Sequence, residues 1–172
     1  ILQSEITMEK QYDTTGMALI QPDSVTISGP AALISSVENV RTTVLKRTDV
    51  KASISLKLPL EKQHLITANV EEVNVTVPVE KFTEGALEIP IHAINVQPGY
   101  SLKTFPDKVK VQFRVSLSKY NDVRPEMFDA VVDASGLPDE KATQLKIKRE
   151  TTPYFVSGVS IDPERTDYIL RK

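Results

Sequence analysis

Apolar residues alternate with polar ones along much of this chain. Val25 and Ile27, then Ile54, Leu56, Leu58 and Leu60, then Val73, Val75, Val77 and Val79, and later Val109, Val111, Phe113 and Val115 recur at every second position. A period of two in segments rich in β-branched residues predicts half-buried β-strands, because successive side chains on a strand point to opposite faces. One stretch breaks the rule. After Gly29-Pro30, the residues Leu33, Val37 and Val40 share a face at i, i+4 and i+7, which predicts one short helix with Pro30 in its first turn.

The pattern also repeats. Glu5-Ile6-Thr7-Met8 recurs as Glu88-Ile89-Pro90-Ile91, Gly16 as Gly99, Leu19 as Leu102 and Val40-Arg41 as Val123-Arg124, all 83 positions apart. Pro22-Asp23-Ser24-Val25-Thr26-Ile27 recurs as Pro106-Asp107-Lys108-Val109-Lys110-Val111, 84 positions apart. Leu56-Lys57-Leu58 then aligns with Leu145-Lys146-Ile147 at 89, which predicts a loop insertion over 133–142. A near-constant offset over this span marks a duplicated unit. The chain is therefore read as two tandem small β domains, residues 1–82 and 83–172, mainly β with one short helix in each repeat. In the second repeat, Leu117, Tyr120 and Val123 are spaced for one or two helical turns. The boundary falls near Phe82 to Gly85, with a linker near Thr83-Glu84-Gly85.

Eleven prolines stand against six glycines, and Pro59, Pro78 and Pro90 lie inside apparent strands. A residue without an N–H belongs at an edge or a bulge, where it also discourages edge-to-edge association.

Charge narrows the partners. Lys and Arg number 21 against 23 Asp and Glu, a formal net charge of −2, so no basic surplus exists to displace counterions from a nucleic acid. The absence of cysteine excludes disulfides, thiolate nucleophiles and Cys-based metal sites. No run approaches the roughly 20 apolar residues that cross a bilayer. The sequence opens on Ile1, which suggests a piece of a longer protein whose anchor lies outside it.

Candidate chemistry is sparse. His64 and His92 have no second histidine at ligand spacing, and no Gly-x-Ser-x-Gly turn or Asp-x-Asp-x-Asp-Gly loop occurs. Glu71-Glu72, Asp129/Asp133 and Asp139-Glu140 are the acidic pairs, each read as solvent-facing or within a turn. Ser28-Gly29-Pro30 leads from a strand into a helix but lacks the glycines and the Lys of a phosphate loop. Gly29 and Pro30 remain as a candidate interaction turn. Tyr100 with Phe105, or Tyr154 with Phe155, are the aromatic pairs that a glycan-binding face would use. No catalytic, metal or cofactor residues are assigned.

Val25-Thr26-Ile27-Ser28-Gly29-Pro30 followed by Leu33 to Val40, together with the closing strand from Asn69 to Val77, resembles the signature of YbbR-type repeats. The second copy departs from it, since Gln112-Phe113-Arg114 stands where the first has Ser28-Gly29-Pro30, which puts the second helix in question. The resemblance implies a membrane anchor followed by several such domains on the extracytoplasmic face of the bacterial membrane. It also implies a non-catalytic regulatory role toward a membrane partner, for which a diadenylate cyclase is the candidate. The alternative is a carbohydrate- or peptidoglycan-binding β module of the cell envelope.

Overall fold

A computed structural model describes residues 1–137 and 143–172. The Asp139-Glu140 pair and the second half of the predicted insertion, 138–142, lie outside the described residues. The chain divides into two units, Ile1–Lys81 and Phe82–Lys172, and both are mainly β.

The first unit contains β1 (Gln3–Met8), β2 (Tyr12–Thr14), β3 (Leu19–Gln21), β4 (Ile27–Ser28), α1 (Ala31–Ile34), β5 (Val44–Val50), β6 (Ile54–Pro59), β7 (Thr67–Ala68) and β8 (Glu72–Val77). Here β1 pairs in parallel with β5, while β3–β8–β6 and β4–β7 are antiparallel sets. The period-two residues of β8 supply its centre. Val73, Val75 and Val77 are buried with Leu45, Val50, Leu58 and Val79, and Ile6, Met8, Ile20 and Leu56 pack against them.

The second unit contains β9 (Val79–Ile94), β10 (Ser101–Phe105), β11 (Lys108–Ser116), β12 (Asp129–Asp133), β13 (Gln144–Thr151), β14 (Val156–Asp162) and β15 (Arg165–Arg171). The first residues of β9 belong to the first unit, where Val79, Glu80 and Lys81 pair with β2. Beyond them the strand runs on without a break, so Thr83, Glu84 and Gly85 are not a loop linker: they are paired with Val115, Arg114 and Phe113 of β11. Backbone bonding to β11 carries the strand through the boundary that the repeat offset marks.

Four ladders are common to the two units. The parallel pair β1–β5 corresponds to β9–β12, and β3–β8, β8–β6 and β4–β7 correspond to β10–β15, β15–β13 and β11–β14. The second unit adds two more, β9–β11 and β12–β13, which join its strands into the continuous order β10-β15-β13-β12-β9-β11-β14. Pro90 marks the point at which β9 changes neighbours: it is the last residue opposite β11, and Ile91 is the first opposite β12. A proline fits a position where one ladder ends and the next begins. Pro59 closes β6, and Pro78 lies between β8 and β9.

The helix is shorter than its apolar spacing predicts. It covers Ala31–Ile34 alone, and Val37 and Val40 lie beyond it in irregular chain. Ser35 and Ser36 explain the stop, because their hydroxyls donate to the carbonyls of Ala32 and Leu33 (3.1 and 2.8 Å) and so compete with continued α-helical bonding. The following amides of Ser36 and Val37 bond three residues back rather than four, tightening the end of the turn. In the second unit the corresponding element is a 3₁₀ turn, Leu117–Asp122, which suits the three-residue spacing of Leu117 and Tyr120.

The turn that joins β6 to β7 contains a strained position. Gln63 and Ile66 form an isolated bridge, and Leu65 between them adopts φ +61° although it is not glycine. The left-handed region costs an L-residue about 1–2 kcal/mol, and the exposed Leu65 side chain recovers little by packing. Leu65→Gly is expected to stabilise the first unit by about 0.5–1 kcal/mol after the added freedom of the unfolded glycine is discounted. A thermal midpoint that falls instead would show that the Leu65 side chain makes stabilising contacts.

Candidate functional site

The chemistry of an active centre would need several reactive groups to converge, and the candidates are dispersed. His64 sits exposed in the turn before Leu65, and His92 is exposed on β9 opposite Val131. Glu71 and Glu72 are exposed at the start of β8, with Glu72 bonded to Lys57 of the neighbouring strand at 2.9 Å, and this carboxylate raises the Lys57 ammonium above its ordinary range. Among the described residues, no cluster of three His, Asp or Glu side chains is placed to hold a metal ion.

Asp129 and Asp133 occupy opposite ends of β12. Asp133 has a structural environment of its own: it accepts hydrogen bonds from Asn95 Nδ2 at 2.9 Å and from the amide of Ser135 at 3.0 Å. These donors, the Asn95 amide first, hold the carboxyl below the usual aspartate range. Asn95 itself adopts φ +57°, a conformation asparagine tolerates better than most residues, and Asp133 ties this corner to the end of β12. Lys148 approaches to 3.9 Å, an exposed and weak contact.

Of the two aromatic pairs, one separates and one stays together. Tyr100 lies just before β10 and Phe105 at its far end, each with a lysine over its ring, Lys172 and Lys103 respectively. Tyr154 and Phe155 remain together edge to face at 5.3 Å in the turn between β13 and β14, with Tyr154 95% exposed.

Gly29 and Pro30 are at the surface, where β4 ends. The requirement for glycine at 29 is space. A Cβ there would lie 2.6 Å from the carbonyl oxygen of Leu65 and 3.4 Å from Cα of Ile66. The candidate turn is thus clamped beneath the β6–β7 turn, and its identity follows from packing.

Among the open hollows of the first unit, two that adjoin beside that clamp have volumes of about 450 and 430 Å³. Ile27, Val40 and Leu60 line both; the larger also has Val25, Asp23 and Glu38 on its wall. The periodicity of the sequence placed Val25 and Ile27 on a strand; of the two only Ile27 lies in one, β4, while Val25 is in irregular chain before it, and both stay half-buried with a hollow beside them. Their counterparts in the second unit, Val109 and Val111, are 1% exposed. What differs is a neighbouring strand, and no local pattern encodes a missing neighbour.

Residues 3–79 match the model of a family described as YbbR-like protein. A crystal structure of a YbbR-like protein from Streptococcus pneumoniae TIGR4 aligns over 98% of this chain and 92% of its own, at 14% identity and a TM-score of 0.32. No curated protein matches.

Proposed function

We propose that this chain, whose residues 3–79 belong to the YbbR-like family, is a non-catalytic interaction and regulatory module of a membrane-anchored bacterial protein. It works on the extracytoplasmic face of the cytoplasmic membrane, and its partner is a membrane protein, with a diadenylate cyclase as the first candidate. The observation that carries this reading is the duplication: two units with the same four strand pairings present open strand edges and surface turns, and the reactive side chains they carry are scattered over separate strands. Open edges suit recognition by strand addition, in which backbone bonds supply affinity and alternate side chains supply selectivity. Among the described residues no helix is long and apolar enough to cross a membrane, so attachment is assigned to an anchor outside these residues.

The experiment is capture from detergent-solubilised bacterial membranes with the whole chain immobilised. Recovery of a membrane diadenylate cyclase above the level on an unrelated β-protein is the expected result. Recovery of envelope glycan alone would overturn the reading in favour of carbohydrate binding, for which the exposed Tyr154 against Phe155 is the natural contact.

A further inference from the structure

Val25 and Ile27 repeat as Val109 and Val111, yet the two pairs have different surroundings. In the second unit β11 is held on both sides, by β14 and by β9, and its valines join the core with Ile89 and Phe113. In the first unit β4 is held by β7 alone. The strand that corresponds to β9 is β1, and along Gln3–Met8 it is paired with β5 rather than with the chain around Val25. Neither Val25 nor Ile27 belongs to the buried cluster of the first unit, and neither do Val37 and Val40.

We infer that the hollow beside β4 is a docking groove for one extended strand of a partner polypeptide carrying apolar side chains flanked by Lys or Arg. Three features specify that occupant. Ile27 of β4 lines the hollow, and in the second unit an extended segment (82–90) lies against the corresponding strand, β11. The walls offer Val25, Ile27, Val37 and Val40, which a strand's inward side chains would cover. The charged side chains lining the larger hollow are Asp23 and Glu38, both acidic and exposed, and the ammonium of Ile1, which also lines it, is taken up by the Val40 carbonyl, so the flanking charges of the occupant are positive. This assignment rests on the interaction-module reading and gives it a surface.

The test uses isotope-labelled whole chain and two synthetic nonapeptides. One copies residues 82–90, the strand that occupies the equivalent place in the second unit; the other carries Glu84→Lys and Glu88→Lys. The lysine peptide is expected to shift the backbone amides of residues 24–28 and 37–40 and to bind about ten-fold more tightly than the glutamate peptide, as two exposed charge contacts allow. Added salt should narrow that difference. In the chain with Asp23→Lys and Glu38→Lys, both at exposed positions, the preference should invert.

Absence of shifts at these amides, or an unchanged preference in the double variant, overturns the groove. Membrane capture with the same double variant separates the two claims. Capture that survives the charge reversal removes the groove but leaves the interaction module, whereas failure of capture by the unaltered chain removes the module itself.

Discussion

Replacement of Phe113 by alanine is expected to destabilise the second unit by about 3–5 kcal/mol, the range for truncating a buried aromatic side chain. Phe113 is 5% exposed, and its ring lies 5.6 Å from that of Phe128 within the cluster formed by Ile89, Val109, Val111 and Val115. Its cross-strand partner is Gly85. A Cβ on Gly85 would come within 2.6 Å of the Phe113 ring, so the ring occupies the space a side chain on β9 would otherwise fill. Truncation therefore opens a void opposite a residue with no side chain to fill it, which places the loss at the upper part of the range.

Urea denaturation should show this as a lower midpoint with an unaltered slope. A second variant identifies the cause. Gly85→Ala alone is expected to cost about 1–3 kcal/mol through overpacking against the ring, and distinctly less when Phe113 is already alanine. Strict additivity of the two changes would show that the ring and the glycine do not share that space.

Gly29→Val is expected to cost about 1–3 kcal/mol, with Gly29→Ala causing a smaller loss in the same direction. The obstruction is backbone. Leu65 O lies 2.6 Å from the position of the new Cβ, and that carbonyl belongs to a turn fixed on either side by the Gln63–Ile66 bridge and by the pairing of Ser28 with Thr67. A flexible side chain could swing aside, but this carbonyl can move only if the short β4–β7 ladder opens. The thermal midpoint of the first unit measures the loss. If the valine variant melts with the parent, the β6–β7 turn yields without cost and the tight fit at Gly29 carries no structural weight.

These two glycines illustrate how far local reasoning reached. Gly29 was legible as a strand-to-helix junction because Pro30 follows it, yet the carbonyl that excludes a side chain comes from Leu65, distant in sequence. Gly85 was placed in the linker between repeats, whereas its value to the fold lies in its place opposite Phe113. Gly29 corresponds across the duplication not to Gly85 but to its partner Phe113, at the offset that relates Val25 to Val109. Where the first unit has Gly-Pro, the strand ends and a single helical turn begins; where the second has Phe-Arg, β11 continues to Ser116. A proline lacks the N–H that a continuing ladder needs, so this substitution accounts for a local strand end.

The alternation of apolar residues determined strands β6, β8 and β11, the faces they bury and the β class, because a period of two follows from the geometry of the extended chain itself. The 83-residue offset determined that the unit is duplicated. Tertiary structure decided which strands became neighbours: β1 with β5, β9 with both β11 and β12, and β4 with β7 alone. Strand identity is written in each segment's own residues. Pairing is a competition among distant segments for the same backbone groups, and its outcome left the hollow beside Val25 and Ile27 open while closing the corresponding space in the second unit.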